Sequence, residues 1–516
     1  MNLLRVLATI SSMTMLSRIT GMVREILIAR AFGATGYTDA YNIAFRIPNL
    51  LRRLFAEGAF SQAFVPILAQ YKSQKGEEET RKLIDHVATV MLWTLLLTCV
   101  VGMVGAPIVV YCFAPGLKAD PEVFHASVVM TQIMFPYIAF ISFVSLAGGI
   151  LNTWRQFKIP AFTPVLLNLS SIAAALFLAP YLEQPIYAQA IAVFVGGVLQ
   201  LAIQIPALMK IGMLPRLSLH PFKALGDAGV RQILGKMGPA IFAVSASQIS
   251  ILINTNIASR LPVGSVSSLG FADRLMEFPT GLLGVALGTI LLPSLSKANS
   301  DGDKTEYSAL LDWGLRLTFL LALPCAAALA TLSIPLTTTL YHYGKFDAHA
   351  ADMTATALIA YGVGLIGLIV VKILAPGFYA KQNIRTPVKI AVGVLIASQL
   401  MNLVFVPWIA HAGLALSVGL GACLNAIFLY AGLRRQQIYV PKAGWGMFML
   451  RLAGALSLMA GVALWSAGHF DWIAMQAQPW LRIGALSAVI AACGATYLGA
   501  LYAMGFRVRD FKRMAG

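Results

Sequence analysis

The chain has 516 residues, of which 58% are hydrophobic and only 11% are charged. A soluble domain carries about 25% charged residues, so this composition excludes a soluble protein of this length and makes the bilayer the solvent for most of the surface. The net charge of +17 does not indicate nucleic-acid binding, because Lys and Arg form short clusters between long apolar runs rather than a basic face with interleaved aromatics.

About fourteen apolar runs are long enough, at roughly 20 residues, to cross a membrane as helices. In chain order these predicted spans cover about 6–31, 38–68, 86–113, 123–153, 160–181, 186–209, 234–260, 264–296, 312–341, 351–379, 387–408, 411–433, 446–468 and 480–505. Spans 2 and 8 carry Pro and charges in mid-run, which predicts bent or broken helices. The sequence therefore predicts an all-α polytopic membrane protein.

Basic residues cluster in every second loop between the predicted spans. The loops after spans 2, 4, 6, 8, 10 and 12 and the C-terminal tail each hold two or more Lys or Arg, and the other loops hold at most one. Cytoplasmic loops are the ones enriched in Lys and Arg. We therefore predict that both termini lie in the cytoplasm.

The chain repeats itself at an offset of 226–228 residues. The matching pairs are Pro66 and Pro293, Cys99 and Cys325, Pro107 and Pro335, Gly116 and Gly344, Gln156 and Gln382, Pro160 and Pro387, and Pro180 and Pro407. Six spans per repeat is an even number, so the halves have the same orientation and are related by a pseudo-twofold axis along the membrane normal. We predict an N-terminal lobe over 1–222, a C-terminal lobe over 223–440, and two appended helices with a cytoplasmic tail over 441–516.

Charges inside the predicted spans are concentrated in three of them, although a charge at the centre of a membrane helix costs about 2.5–3.5 kcal/mol. The three spans are span 1 with Arg18, Arg24 and Glu25, span 2 with Asp39, Arg46, Arg52, Arg53 and Glu57, and span 8 with Asp273, Arg274 and Glu277. A single further charge, Lys372, lies in span 10. At a rise of about 1.5 Å per residue, Arg18 and Arg274 lie near mid-membrane. We predict that four arginines line one cavity and bind substrate: Arg18, Arg24, Arg52 and Arg274. The predicted supporting charges are Glu25, Asp39, Arg53, Asp273, Glu277 and Lys372.

Several of these charges also have a purely structural interpretation. Arg53 and Glu57 would then mark a cytoplasmic interface. Asp39 would begin its helix as an N-terminal cap, and Glu277 would form a local ion pair with Arg274. This interpretation is weaker for the mid-membrane arginines, which are too far from a helix end to snorkel easily.

The predominance of arginine indicates an anionic, phosphate-containing substrate. The planar guanidinium binds phosphate in a bidentate way and stays charged at any pH. A proton relay would favour carboxylates and histidines, yet the seven histidines fall near loops or helix ends. None shows metal-ligand spacing, and we predict neither a metal nor a cofactor.

Proline and glycine interrupt spans 2 and 8 beside these charges. Pro48 lies two residues after Arg46, and Pro279 and Gly281 follow Glu277. Broken helices at matching places in two repeats indicate a binding site and hinges. We take Pro48, Pro279 and Gly281 as hinge candidates, with a merely structural kink as the alternative.

Four stretches of the chain resemble a known family. Asn49–Pro66 (NLLRRLFAEGAFSQAFVP) is similar to the signature of the MurJ (MviN) lipid II flippases. Ser12–Arg18, Ala272–Pro293 and Lys372–Tyr379 fit the same family. The resemblance covers nearly the whole chain and weakens after about residue 440.

The resemblance implies the multidrug/oligosaccharidyl-lipid/polysaccharide exporter fold, with two six-helix lobes and two extra helices. It implies movement of lipid II, the undecaprenyl-diphosphate-linked peptidoglycan precursor, from the cytoplasmic to the periplasmic leaflet of the bacterial inner membrane. The family's important arginines correspond to Arg18, Arg24, Arg52 and Arg274, and its acidic positions correspond to Glu25, Asp39 and Glu277. It also implies a hydrophobic groove for the lipid tail beside the last two helices.

We therefore predict a lipid II flippase that works by alternating access and is not an enzyme. Its predicted partners are lipid II and the bilayer, without nucleic acid, and the cell-wall synthesis machinery stays open as a protein partner. Membrane potential, a proton or a sodium ion all remain open as the energy source.

Three alternatives remain. An exporter of another lipid-linked glycan would use the same fold, whereas an exporter of a drug cation conflicts with an arginine-rich cavity. An enzyme acting on polyprenyl phosphates would need paired carboxylates for Mg²⁺ or a nucleophile with its base. Asp273 and Glu277 match that need weakly, because Arg274 lies between them. A scaffold without transport is the third alternative.

Overall fold

The computed structural model describes the backbone of residues 3–53 and 60–507, and their side chains except at 3–11, 239–240, 242–247, 282 and 284–290. Glu57 lies outside the described residues. Every regular element within them is helical, which confirms the predicted all-α class. They form two compact units, Met1–Val266 and Ser267–Gly516. The division predicted from the repeat, with boundaries after 222 and 440, stays a prediction.

The described part of the first unit contains twelve α-helices. They are α1 (Leu3–Phe32), α2 (Gly36–Leu51), α3 (Ser61–Gln74), α4 (Gly76–Val104), α5 (Ala106–Phe113), α6 (Pro121–Met134), α7 (Tyr137–Thr153), α8 (Lys158–Ala173), α9 (Tyr187–Ala202), α10 (Ile205–Lys210), α11 (Pro221–Leu225) and α12 (Ala228–Ala258). Helix α8 packs between α1 and α9, and α12 packs against α3, α4 and α5. The core of this unit includes Phe64, Leu68, Ile84 and Ile150.

Eight α-helices lie in the described part of the second unit, the first of which begins two residues before the unit's boundary. They are α13 (Ser265–Pro279), α14 (Val285–Ser300), α15 (Lys304–Thr331), α16 (Ser333–Tyr341), α17 (Ala348–Tyr379), α18 (Arg385–Arg435), α19 (Trp445–His469) and α20 (Pro479–Ala503). Helix α17 packs against both α15 and α18, and α19 packs against α15 and α20. Its core includes Leu311, Ile373, Phe378 and Leu433.

Aspartate side chains fix where four of the helices begin. The carboxylates of Asp120, Asp227, Asp303 and Asp347 accept hydrogen bonds from backbone N–H groups in the first turns of α6, α12, α15 and α17 respectively. Such caps satisfy N–H groups that have no partner within the helix. Asp120 and Asp347 lie three and four residues before the predicted span starts at 123 and 351, so hydropathy and capping agree closely there. Asp227 and Asp303 lie seven and nine residues before the predicted starts at 234 and 312, so α12 and α15 begin earlier than hydropathy indicated.

Nine helical segments in the described part of the chain are long and apolar enough to cross a membrane. They are Gly76–Val104, Pro121–Thr153, Lys158–Tyr181, Tyr187–Lys210, Lys304–Thr331, Ala348–Tyr379, Arg385–Arg435, Trp445–His469 and Pro479–Ala503. The protein is therefore a multi-pass membrane protein. The predicted number of about fourteen crossings stays a prediction.

Helix α18 is two helices joined at a sharp reversal. Its 51 residues would span about 76 Å if straight, far more than the roughly 30 Å of a bilayer core. The backbone leaves the helical region at Ile409 and at Ala410, where φ is 46° and ψ is −127°. The reversal falls between predicted spans 11 and 12, where the hydropathy placed a boundary.

We expect Ala410→Gly to stabilise the protein. A side chain at a backbone conformation that favours glycine costs of order 1–3 kcal/mol. Removing the Cβ should therefore raise the thermal unfolding temperature of the purified protein in detergent. Ala415→Gly is the matched control, because Ala415 is buried inside the helical part of α18 and the change should cost about 1 kcal/mol there. A lower unfolding temperature for Ala410→Gly would contradict the strained reversal.

The break predicted in span 8 is present, and the backbone also changes in span 2. Helix α13 ends at Pro279, the segment Thr280–Gly284 is π-helical, and α14 continues from Val285. In the first unit, the backbone after α2 is π-helical at residues 52–53. Single π-helical turns occur frequently at functional sites. The hinge roles of Pro48, Pro279 and Gly281 stay predictions.

A buried carboxylate ties the start of α19 to α15. Asp312 is 2% exposed. Its Oδ1 accepts hydrogen bonds from the Tyr439 hydroxyl (2.8 Å), the Trp445 indole Nε1 (2.8 Å) and the Lys442 backbone N–H (3.1 Å). Its Oδ2 accepts a hydrogen bond from Arg316 Nε at 2.9 Å. Because donors from the 439–445 segment converge on one carboxylate, Asp312 determines where this segment lies against α15.

A buried arginine ties the start of α20 to the end of α16. Arg482 is fully buried and donates hydrogen bonds to the backbone carbonyls of Trp472 and His342, each at 3.1 Å. Its guanidinium also lies over the ring of Tyr343, 4.6 Å from the centroid. Burial and the positive charge of Arg482 lower the pKa of His342. The appended helices are thus attached to the rest of the second unit at both ends.

Candidate functional site

Arg24 is held inside the first unit by two neighbours. Its side chain is 12% exposed, and its Nη2 donates to Glu25 Oε1 at 2.5 Å. Its Nη1 donates to Asn168 Oδ1 of α8 at 3.1 Å. An ion pair of this kind offsets part of the desolvation cost of both charges. The predicted Arg24 and Glu25 are thus brought together, with Asn168 as a third member that the sequence did not indicate.

Arg18 lies on the same helix, six residues before Arg24, and is partly buried. Among the residues that the structure describes, it has no hydrogen-bond or ion-pair partner. An arginine inside a membrane helix normally faces a hydrated cavity or an opposite charge. The anionic ligand predicted for Arg18 stays a prediction.

Arg52 directly follows α2. Its Nε donates to the side-chain Oδ1 of Asn49 at 2.9 Å, and its side chain is partly buried. Arg53, the next residue, is exposed. The contact with Asn49 orients the Arg52 side chain relative to the end of α2.

Asp39 does not cap its own helix. The N-cap of α2 is Thr35, whose side chain accepts from the Thr38 backbone N–H. Asp39 is 5% exposed, and its Oδ2 accepts a hydrogen bond of 2.7 Å from the backbone N–H of Gly264. Gly264 has a φ of 88°, and a Cβ there would lie 2.6 Å from the Ala34 carbonyl oxygen. The N-cap interpretation of Asp39 is therefore wrong, since its carboxylate binds a distant residue.

A second long-range contact joins α2 to α12. Arg46 Nη1 donates to Thr255 Oγ1 at 2.6 Å. Thr255 is buried, and its hydroxyl also donates to the Ile251 carbonyl oxygen. Arg46 thus links α2 to α12 within the first unit.

Arg274 and Glu277 form the local ion pair that the sequence offered as an alternative. Arg274 Nη1 lies 2.8 Å from Glu277 Oε2, with side-chain exposures of 43% and 46%. Exposed pairs of this kind contribute about 0–1 kcal/mol. The pair joins residues three positions apart on α13, and the phosphate-binding role of Arg274 stays a prediction.

Lys372 contacts the interrupted part of the second unit. From α17 its Nζ donates to the Thr280 carbonyl oxygen at 3.4 Å, a long hydrogen bond. Thr280 is the first residue of the π-helical segment after Pro279 and before Gly281. Lys372 is thus placed at the helix break, and Asp273 is partly buried on α13.

The four predicted substrate-binding arginines are divided between the units. Arg18, Arg24 and Arg52 belong to the first unit and Arg274 to the second. Their convergence on one cavity stays a prediction. Within the described residues, no group of three or more His, Cys, Asp or Glu side chains is arranged to hold a metal ion.

An apolar cavity of about 160 Å³ lies in the first unit between α4, α7 and α12. Ser142, Thr94 and Thr98 are the polar residues in its otherwise apolar wall, and no predicted site residue lines it. A diphosphate needs charged or multiple polar partners. This cavity is therefore separate from the predicted arginine site.

Asn168 and Thr255 are the site neighbours that sequence reasoning missed. Each is a single polar residue within an apolar run, a pattern that is common in membrane helices. Their contacts with Arg24 and Arg46 bridge 144 and 209 residues of sequence. The repeat could not indicate them, because both contacts lie within the first unit and neither residue was part of a matched pair.

Comparison with known proteins identifies relatives over the whole chain. The family model described as lipid II flippase MurJ matches residues 28–481. The lipid II flippase MurJ of Burkholderia cenocepacia is 59% identical, with all of both chains covered. The probable lipid II flippase MurJ of Vibrio cholerae is 38% identical over 98% of this chain and 96% of its own.

Two solved structures share the fold. A lipid II flippase MurJ in an inward closed conformation matches with a TM-score of 0.79 and 24% identity, covering 96% of this chain and 99% of its own. An inward-facing multidrug resistance MATE transporter of the MOP superfamily matches with a TM-score of 0.68 and 14% identity, covering 84% and 98%. At these identities the likeness concerns the fold alone, and it supports the predicted all-α polytopic fold, whereas the number of helices in each lobe stays a prediction.

Proposed function

The chain belongs to the lipid II flippase MurJ family, and from this we propose how it binds and moves its substrate. The protein is a lipid II flippase and not an enzyme. It acts in the bacterial inner membrane and carries lipid II from the cytoplasmic to the periplasmic leaflet. The 59% identity to a MurJ flippase over the full length of both chains is the observation that carries this function.

The proposed binding site for the diphosphate consists of Arg18, Arg24, Arg52 and Arg274. The observation that best supports it is Arg18, which has no hydrogen-bond or ion-pair partner among the described residues although it lies in α1, within predicted span 1. An unpaired charge in this environment is too costly to keep unless a ligand or water compensates it. Glu25, Asp39, Arg53, Asp273, Glu277 and Lys372 support the site by balancing charge or by holding backbone segments.

The proposed mechanism is alternating access between two lobes. The backbone is π-helical at residues 52–53 in the first unit and at Thr280–Gly284, directly after Pro279, in the second. Such irregular turns allow a helix to bend without losing all of its hydrogen bonds. Because the lipid II headgroup is too large for a narrow static pore, each state must close one side.

Two further proposals concern the location of the termini and the surface of the last two helices. The Lys and Arg distribution supports both termini in the cytoplasm. Helices α19 and α20 expose apolar side chains such as Leu450, Leu464 and Leu498, which would face lipid or the substrate tail.

We propose that transport needs no cofactor and that an ion gradient or the membrane potential drives it. We also propose that the cell-wall synthesis machinery is a protein partner.

The test is the leaflet distribution of lipid II in cells whose only flippase copy is this chain under a repressible promoter. On depletion, lipid II should become inaccessible to an impermeant reagent added outside, and re-expression should restore the access. Total lipid II should be measured in parallel, so that a loss of synthesis is distinguished from a loss of transport. Unchanged external access after depletion would overturn the proposal, and accumulation of a different lipid-linked glycan would favour the alternative exporter.

A further inference from the structure

We propose that Asn168 of α8 is a positioning residue for Arg24, holding its guanidinium ready for the diphosphate without cancelling its charge. The inference rests on the proposed arginine site. It adds a residue that none of the predicted motifs contains and assigns it a role in substrate affinity.

Asn168 is buried, with 7% exposure, and its amide bonds to α1 at three points. Oδ1 accepts a hydrogen bond from Arg24 Nη1 at 3.1 Å. Nδ2 donates to the Ser17 carbonyl oxygen at 3.0 Å and to Thr20 Oγ1 at 3.1 Å. Both sides of the amide are therefore used by a single neighbouring helix.

These partners fix which way the amide points. A backbone carbonyl only accepts hydrogen bonds, so the atom beside the Ser17 oxygen must be the NH₂ group. A guanidinium only donates, so the atom beside Arg24 must be the amide oxygen. The flipped amide would place donor against donor and acceptor against acceptor. The orientation of Asn168 is thus determined by chemistry, and its oxygen faces Arg24.

The contacts leave part of the guanidinium free. Arg24 has five N–H donors, of which one on Nη1 is used by Asn168 and one on Nη2 by Glu25. Nε has no partner among the described side chains. The guanidinium is therefore held at two points, and the second hydrogen of each Nη atom is used by neither Asn168 nor Glu25, so these two hydrogens are the ones proposed to bind ligand oxygens.

A neutral amide is the appropriate partner for such a clamp. Glu25 already offers Arg24 one negative charge, and a second carboxylate at position 168 would compete with a diphosphate for the guanidinium. Asparagine restricts the rotamers of Arg24 before the ligand arrives, and less conformational freedom is then lost on binding. The alternative is that Asn168 only fastens α1 to α8 and that its bond to Arg24 is incidental.

The experiment measures the dissociation constant of purified lipid II for the full-length protein in nanodiscs. Asn168→Leu removes the three hydrogen bonds at similar volume, and Asn168→Asp keeps an acceptor beside Arg24 but adds a charge. Ser170→Ala is the matched control, because Ser170 bonds the Ala192 carbonyl oxygen at 2.8 Å and links the same helix to α9 instead of α1. Thermal unfolding of each variant is recorded alongside.

Asn168→Leu should weaken lipid II binding about tenfold, as expected for a lost hydrogen bond to a charged group. Asn168→Asp should weaken it at least as much, whereas Ser170→Ala should bind within about twofold of the wild type. The decisive comparison is a double-mutant cycle with Arg24→Ala. Once Arg24 is gone, Asn168→Leu should have no further effect on affinity.

The outcomes separate this inference from the proposed function. If Arg24→Ala weakens binding but Asn168→Leu and Asn168→Asp bind lipid II normally, Asn168 only holds α1 against α8. The inference then fails, while the proposed arginine site stands. Equal effects of Asn168→Leu with and without Arg24 would also refute the inference. If Arg24→Ala itself binds lipid II normally, the proposed arginine site is wrong. Should Asn168→Leu not fold, Asn168→Asp gives the same comparison.

Discussion

Arg274→Ala should abolish lipid II transport while leaving the protein folded. Arg274 and Glu277 form an exposed pair, and losing this pair should cost the fold no more than about 1 kcal/mol. A lost bidentate contact to phosphate costs more, because each charge-assisted hydrogen bond contributes about 1.5–3 kcal/mol. We expect transport to fall by about two orders of magnitude or more, measured as growth and as external access to lipid II in the depletion strain.

Arg274→Lys separates charge from shape. Lysine keeps the positive charge but loses the planar fork, so transport should be impaired clearly without being abolished. Arg434→Ala, an exposed arginine at the end of α18, is the control and should transport normally. Normal growth of a strain whose only copy carries Arg274→Ala would count decisively against the site.

Asp312→Ala should have the largest effect on stability. It leaves Arg316 without its carboxylate and leaves the Tyr439 hydroxyl and the Trp445 indole without their acceptor. Removing one partner of a buried pair costs about 3–5 kcal/mol, which is a large share of the roughly 5–15 kcal/mol that stabilises a folded protein. We expect a strongly lowered unfolding temperature and a reduced amount of protein in the membrane.

The effect should begin in the segment that Asp312 holds. Limited proteolysis of Asp312→Ala should cut between residues 436 and 444 earlier than in the wild type, because the Lys442 backbone and the Trp445 side chain lose their attachment. Asp301→Ala removes an exposed acidic residue nearby in sequence and should change stability by less than about 0.5 kcal/mol. An unchanged cleavage pattern and unfolding temperature in Asp312→Ala would rule out this anchoring role.

The amino-acid sequence by itself determined the class of protein, the positions of the helices and the family. Hydropathy works well here because every backbone polar group inside a bilayer must be satisfied within its own helix, so apolar length maps directly onto helix length. The two predicted spans within α18 show this, since the boundary at 408–411 coincides with the reversal at Ile409 and Ala410. The cost of charge in lipid likewise identified Arg18, Arg24, Arg52 and Arg274 as candidates.

Only the tertiary structure decided which partners these charges have. Asp39 looked like a helix cap but binds Gly264, and Arg482, which no sequence motif indicated, is fully buried against the end of α16. Asp312 began a predicted span without any motif, yet four donors meet at its carboxylate. Most of these contacts join residues that are more than a hundred positions apart. Single Asn, Asp, Thr and Gly residues make them, and single residues leave no periodic signal in the sequence. Local patterns determine where a helix runs, whereas the partner of a polar side chain depends on how the helices pack.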